Sequence, residues 1–527
     1  MVHSGATLRL AFLSAVVSLT AAFAASAAPI PLFNTYRAED GFTNFDISLA
    51  VVSYGVPTLV ALLVMGRLSS HLGRRRTSLA SLGLLALGCL LLLNVHDVGT
   101  LLAGRALMGL GAGLAGSNVT AYVVDAAPSK PAWLASVASS QTPMIGLAIG
   151  AIASGALVQF GPWPRQLIYL AAVGFLLLSA ALIALSPETV PPTPGAWRSL
   201  RPSVTVPARV RRLLPVATAV FLSTWATGAF YQAFVPALAE EQLHTRSPLV
   251  LGLVFAAYMA PSALGAPLGG RFTPATAQRL GMVAFLAGMI GIITAIATST
   301  LASFIAATVV AGASQGIAIS ASTRCLLHES TPAERAPIFS VIYLICYSAA
   351  AFPSLVAGRL STTFSLPQIA LGYGGLALAA TVFTLIAARN PRARFDRLLA
   401  TQESLLTNLH SLRDLVHWRD EVVLLAQRGD NGTCPLGELA DLLANGDEAG
   451  RSTARAIFTA WESLLAGGLT RVRDSGELAP DADPQRLATG LMAALQGGLL
   501  LTRTTRDVRQ LEVALDQALG YVRAVTR

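Results

Sequence analysis

Twelve apolar runs, each long enough to cross a lipid bilayer, dominate the first 389 residues. A spanning helix needs about 20 apolar residues. Runs of that kind centre on 8–28, 47–65, 77–95, 99–124, 133–159 and 165–186, then on 213–236, 248–270, 280–297, 300–325, 337–357 and 367–388. In lipid every backbone N–H and C=O must be satisfied within its own segment, so these runs predict helices whatever their fine periodicity. The first run holds Arg9 near its start and ends in Ala25-Ser26-Ala27, which imitates a cleavable leader. Its loss would leave eleven spans, and we read it as span 1.

Composition divides the chain near Arg389. Residues 1–389 hold 21 of the 37 basic and 10 of the 28 acidic residues, a net charge of +11; residues 390–527 hold the other 16 and 18, a net charge of −2. Only 12% of the whole chain is charged, about half the fraction usual in soluble domains. A single soluble enzyme, a disordered chain and a secreted disulfide scaffold are excluded. The four cysteines form no C-x-x-C pair, so no zinc or redox motif is available. The expectation is a chain with no metal, no cofactor and no enzymatic activity.

Arginines set a direction. Loops after even-numbered spans carry Arg67, Arg74, Arg75 and Arg76, then Lys130, then Arg198, Arg201, Arg209, Arg211 and Arg212, then Arg271, Arg279 and Arg335. The other loops carry little beyond Arg37, Arg165, Arg246 and Arg359, with Glu39, Asp40, Glu240 and Glu241 beside two of them. Positive loops stay cytoplasmic, which predicts a multi-pass protein of an inner or plasma membrane with both termini inside. The basic charges lie between apolar segments and not on one soluble face, so nucleic acid is not an expected partner.

An internal repeat runs at an offset of 204. Tyr54 and Pro57 recur as Tyr258 and Pro261, Gly66-Arg67 as Gly270-Arg271, Asp125 and Pro128 as Glu329 and Pro332, and Ser136-Val137 as Ser340-Val341. Matching residues fall at the same ends of spans 2, 4, 8 and 10, which predicts two parallel six-helix halves with a substrate site at the midplane between them. Gly109 and Gly113 match Gly312 and Gly316 only after a slip of one residue.

Three motifs give residues 1–389 a family resemblance. The segment Gly66-Arg67-Leu68-Ser69-Ser70-His71-Leu72-Gly73-Arg74-Arg75 is similar to the loop 2–3 signature of the major facilitator superfamily, G-x-L-a-D-R-x-G-R-R, with Ser70 and His71 where the family has Asp and Arg. Arg105-x-x-x-Gly109 resembles the intramembrane arginine motif of that family. Gly146, Gly150 and Gly155 in span 5 resemble its glycine-rich antiporter motif, with Ala151 replacing the expected proline. The resemblance implies an all-α fold, a twelve-span transporter of two six-helix halves followed by a soluble helical domain. It also implies alternating access and a small-molecule substrate, moved outward if the antiporter motif holds. A metabolite importer and a non-transporting membrane receptor are the alternatives. The expected divisions are 1–190 and 213–389 for the halves, 191–212 for a linker, 390–431 for a connector and 432–527 for a terminal domain.

Several residues carry expected roles. Arg105 sits inside an apolar run, where an ionisable group needs a cavity or a partner; it either serves coupling and substrate binding or clamps backbone carbonyls between helices. No acid lies mid-span, which leaves coupling to Asp46 at a span end, to Arg105 with an external partner, or to no proton at all. Gly109 accompanies Arg105, and Trp225, Tyr231 and Tyr258 form an aromatic group suited to planar or apolar compounds. Asp125 and Glu329, facing Arg67 or Arg74 and Arg271, are expected as an ion-pair gate in the loop that holds Gly66, Gly73 and Arg75.

The tail is patterned as helix. Leu487, Leu491, Leu495 and Leu499 share one face, and Leu511, Leu515, Leu519 and Val522 another, with Pro484 early in the first helix and Asp507 placed to cap the second. The stretch from Gly432-Thr433-Cys434-Pro435-Leu436-Gly437 through Gly476-Glu477-Leu478 and Asp483-Pro484 to Leu495-Gln496-Gly497-Gly498-Leu499 resembles the C-terminal domain of TetR-type regulators. Too few residues precede it for a helix-turn-helix. The resemblance implies a homodimer formed by the two leucine faces of each chain, and a ligand pocket near Cys434 and Trp461. Membrane lipid is the remaining expected partner.

Overall fold

The computed structural model describes residues 5–128, 130–131, 134–200, 208–327, 330–388, 403, 405–428, 448–505 and 507–526. Among them every regular element is helical, apart from one antiparallel bridge between Leu478 and Thr526. The chain forms two compact units, Met1–Ala388 and Arg389–Arg527.

Twelve helices of the first unit are long and apolar enough to cross a membrane: Leu8–Asp40, Asn44–Met65, Arg74–Asn94, Val98–Ala126, Leu134–Phe160, Leu167–Leu185, Leu214–Ala233, Pro248–Gly269, Pro274–Ala297, Leu301–Leu327, Pro337–Leu360 and Leu366–Ala387. They are spans 1 to 12. Polar residues in the loops start several of them by supplying acceptors for the first orphan N–H groups. Thr43 and Asp46 form a capping box at span 2, Asp97 caps span 4, Ser247 caps span 8 and Thr273 caps span 9. Span 1 runs past its expected end. After the helix Gly5–Ala27 the chain makes a tight turn at Ile30–Leu32 and a further helix Phe33–Asp40.

Large side chains such as Leu177, Phe352 and Ile386 stay exposed on the outside of this unit, as suits a surface facing hydrocarbon. Lipid tails are as apolar as leucine, so helices attract one another there by close packing, and small residues make it possible. A Cβ on Gly109 would overlap the carbonyl oxygen of Tyr54, and one on Gly113 would stand 2.6 Å from that of Thr58. The same contacts recur in the second half, where Gly312 meets Tyr258 O and Gly316 meets Ser262 O. Span 4 thus lies on span 2 as span 10 lies on span 8. The carbonyl partners keep the offset of 204 while the glycines keep the one-residue slip. Pro57 and Pro261, also repeat partners, precede or enter irregular turns at Ala61–Met65 and Ala260–Leu264, because proline removes a backbone donor from the helix ladder.

The second unit contains the helices Leu412–Arg428, Glu448–Asp474, Pro484–Thr505 and Arg509–Ala524. Asp483 accepts from the backbone N–H of Gln485 at 3.0 Å, and Asp507 does the same for Arg509 at 3.0 Å. The leucine faces expected to meet across a dimer are spent inside one chain. Leu487, Leu491, Leu495, Leu499, Leu511, Leu515, Leu519 and Val522 pack with Trp418, Trp461, Leu465 and Leu469 in one buried cluster. Two helices alone cannot cover their own leucines, but two further amphipathic helices from the same chain do. What remains outside is a different apolar set: Leu500, Leu501, Val513 and Tyr521, each about half exposed.

Overpacking a close helix contact costs about 1–3 kcal/mol. Gly113→Val and Gly316→Val are therefore expected to lower the thermal midpoint of the detergent-solubilised protein in parallel. Gly83→Ala, where an added Cβ meets nothing within 4 Å, is expected to leave it unchanged.

Candidate functional site

The face that carries the arginine-rich loops is organised by the start of span 3. Gly73 adopts φ +95, and a Cβ on it would stand 2.5 Å from Glu188 Oε2, so both backbone and space call for glycine. The Glu188 carboxylate then reaches the first turn of the helix, accepting from Arg74 N at 2.6 Å and from Arg75 N at 3.1 Å. Free N–H groups and the helix dipole together favour an anion at that place. Arg74 turns its side chain the other way, with Nε 2.8 Å from Asp125 Oδ2 at the end of span 4 and Nη1 donating to Ser69 Oγ. Tyr122 donates to Pro187 O, and Thr193 N donates to His71 O at 2.9 Å. Loop 2–3 is thereby tied to the ends of spans 4 and 6.

The expected gate is described in its first half. Arg74 takes Asp125; Arg67 and Arg271 are exposed, Arg75 is engaged through its backbone, and a Cβ on Gly66 would overlap Leu62 O. Glu329 lies outside the described residues. Glu188 was not singled out from sequence. Its signal is the acid in Ser186-Pro187-Glu188-Thr189, immediately after an apolar span, but only the fold sets it over the start of span 3.

Arg105 is completely buried. Its Nε donates to Ala50 O at 3.2 Å and its Nη1 to Ser26 O at 3.0 Å, tying span 4 to spans 2 and 1. The guanidinium carbon lies 4.4 Å from the centroid of the Tyr54 ring, a cation–π arrangement. Nη2 has no hydrogen-bond partner among the described residues. Gly109, one turn on, lets span 4 approach Tyr54 closely enough for this geometry. Asp46 lies at the opposite end of span 2, accepting from Thr43 N at 2.8 Å and Thr43 Oγ1 at 2.6 Å.

The expected aromatic group is drawn into two places. Tyr231 and Tyr258 stack at 4.4 Å with ring planes 8° apart, both buried. The Tyr231 hydroxyl shares a hydrogen bond with Thr308 Oγ1 at 2.6 Å, and Tyr258 donates to Thr224 O at 3.0 Å. Trp225 pairs edge-on with Tyr347 of span 11 at 5.1 Å. Tyr347 in turn lies 3.8 Å from where a Cβ on Gly55 would stand, which links the two halves beside Tyr54.

The glycines of span 5 serve two interfaces. Gly146 and Gly150 approach Thr20 O and Ala24 O of span 1, whereas Gly155 meets Pro248 O of span 8. Gly252 of span 8 returns the contact against Ala151 O. Nearby, Gln159 Oε1 accepts from Ser247 Oγ at 2.5 Å and Leu249 N at 3.3 Å. The halves meet here with almost no side chain between them. In the second unit Trp461 is buried, with no partner for Nε1 among the described residues; Cys434 lies outside them.

The family model of the Major Facilitator Superfamily matches residues 10–244, and that of the Tetracyclin repressor-like, C-terminal domain matches residues 415–518. Among curated proteins, the chain is similar to the "Probable glucose transporter rco-3" of Neurospora crassa, 26% identical over 158 residues, 30% of this chain and 26% of that protein. It is similar to the "MFS efflux transporter aclA" of Aspergillus oryzae, 31% identical over 177 residues, 33% and 30% of the two chains. A third similarity, 31% over 88 residues and 17% of each chain, is to the "Major facilitator superfamily multidrug transporter mfsC" of Aspergillus fumigatus. Each match thus spans less than a third of the relative's length.

Two substitutions probe the charged contacts. Loss of an N-terminal cap costs about 0.5–2 kcal/mol, so Glu188→Ala is expected to lower the thermal midpoint more than Asp125→Ala, which removes only a part-exposed ion pair. A lysine cannot reproduce the planar fork of Arg105. Arg105→Lys is therefore expected to destabilise nearly as much as Arg105→Ala, measured on the same solubilised protein.

Proposed function

We propose that the membrane unit, whose residues 10–244 match the family model of the Major Facilitator Superfamily, is a secondary active exporter of small amphipathic or drug-like compounds, working by alternating access between its two six-helix halves. The observation that carries the reading is the glycine-to-carbonyl seam of spans 5 and 8. Surfaces that touch backbone to backbone can seal tightly and still part without unpicking interlocked side chains. Outward transport is supported by the three span-5 glycines and by the efflux and multidrug names of two relatives. The arginine-rich loops support a cytoplasmic position for that face and both termini, and the Arg74–Asp125 pair with Glu188 acts as the inner gate. Arg105 links spans 1, 2 and 4 during the cycle, and Asp46 is the candidate coupling carboxylate.

The tail is a cytoplasmic sensor in this reading. It dimerises through the face bearing Leu500, Leu501, Val513 and Tyr521, since its longer leucine rows are already used. A small apolar molecule binds near Trp461, whose indole N–H is a donor still to be satisfied.

Expression in an efflux-deficient host is expected to lower accumulation of several compounds in a broad panel. Unchanged accumulation for all of them, with membrane expression verified, would refute export; net inward flux of a labelled sugar would favour an importer, as the glucose-transporter relative suggests. For the tail, Leu501→Asp combined with Tyr521→Asp is expected to convert a solubilised dimer to monomer in mass photometry. A parent protein that is already monomeric would sink the dimer.

A further inference from the structure

The helix Phe33–Asp40 that closes span 1 has a counterpart in Val235–Glu241 after span 7. The repeat puts Arg37 and Glu241 at equivalent positions, 204 apart, and in the structure these equivalents touch: Arg37 Nη2 lies 3.3 Å from Glu241 Oε1. A two-fold relation brings near-axis positions onto their own copies. Here one copy is basic and the other acidic, so the meeting is attractive. Asn34, one turn earlier, donates Nδ2 to Pro236 O at 2.7 Å and accepts from Arg37 Nη1 at 3.1 Å, which steadies the guanidinium.

The far end of the same helix is fixed within its own half. Arg165, from the loop between spans 5 and 6, binds Glu39 at 2.8 Å and Asp40 at 2.5 Å, and its guanidinium lies 5.1 Å from the Tyr36 ring. His96 adds a contact to Asp40 at 3.3 Å. Burial works against the Arg165 charge, but the hydrogen bonds it donates to Asp40 and Glu39 outweigh it and hold the group above its ordinary pKa. The helix is thus anchored strongly on one side and reaches across with a part-exposed ion pair and one hydrogen bond. Such pairs are weak and reversible.

We propose that Phe33–Asp40 is a clasp that holds the two halves together on the face opposite the arginine-rich loops, with Arg37 and Asn34 letting go of Glu241 and Pro236 when that face opens. The proposal rests on the alternating-access reading and adds residues that position the halves during the cycle. Ser48 of span 2 reports the opening. It is fully buried, and its Oγ lies 2.5 Å from where a Cβ on Gly358 of span 11 would stand.

The test uses the full chain in lipid nanodiscs, with Cys89, Cys325, Cys346 and Cys434 replaced by alanine and Ser48→Cys introduced. Arg37→Glu and Glu241→Arg are each expected to speed alkylation of the new thiol by a maleimide about threefold, the scale of an exposed ion pair. The combined Arg37→Glu/Glu241→Arg protein is expected to return to the parent rate, at an unchanged thermal midpoint. Unaltered rates in both single variants, acceleration that persists in the double variant, or acceleration accompanied by a fall in the midpoint would each overturn the clasp. Alkylation reads opening and not flux, so failure here leaves the transporter reading standing. Absent transport with charge-reversal rescue intact would instead refute that reading alone.

Discussion

Backbone carbonyls lying where a glycine side chain would stand are the contact on which the membrane unit depends. Hydrocarbon forces each span to satisfy its own backbone and then offers no hydrophobic drive to bring spans together. What attracts them is dispersion over closely approached surfaces, and a Cβ at Gly109, Gly150 or Gly316 would remove that approach. The geometry of Arg105 follows from it. Its guanidinium reaches carbonyls of two other helices only because Gly109 lets span 4 lie flat on span 2. The same type of contact forms the seam between spans 5 and 8, so cohesion within a half and contact between halves use one chemistry.

Apart from the buried Arg105, the charged residues that pair or cap in the membrane unit lie toward the ends of the spans, and there they act through helix termini as much as through pairs. Glu188 satisfies two N–H groups at the start of span 3 and so joins the end of span 6 to that helix. Arg74 carries the connection on to span 4. On the opposite face Arg165 gathers Glu39, Asp40 and His96 around the helix Phe33–Asp40. The Arg165–Asp40 pair is mostly buried and anchors its helix within one half, whereas the Arg74–Asp125 pair is part-exposed. Part-exposed pairs contribute little stability each, which suits a contact that is made and broken in the proposed cycle.

The spans, the break near Arg389 and the two-fold repeat were legible in the sequence because length, hydropathy and offset are one-dimensional quantities. A loop 2–3 arginine meeting Asp125 was legible for the same reason, as the motif and the repeat both pointed at span ends, but the choice of Arg74 over Arg67 was not. Glu188 was not, because its role depends on a helix more than a hundred residues earlier ending its first turn beside it. Tyr347 escaped notice since nothing in span 11 marks it until Trp225 and Gly55 are brought to it. In the tail the leucine rows were read correctly as helix faces. Their destination was misassigned, because periodicity shows that a face is buried but not whether its cover comes from the same chain.

The repeat also exposes a division of labour. Where the first half has Arg105 over Tyr54, the glycine-aligned position of the second half is Thr308, which pairs with the hydroxyl of Tyr231 while Tyr231 stacks on Tyr258. One scaffold therefore holds a buried cation in one copy and a neutral, closely packed aromatic core in the other. A cation enclosed in protein responds to nearby charge far more than a hydroxyl does, whereas an aromatic stack resists deformation. In the proposed cycle, a charged group brought toward the midplane therefore acts first on the half containing Arg105. The pair of Arg37 with Glu241 fits the same asymmetry: equivalent positions carry opposite charges, so each half supplies what the other lacks where the two meet.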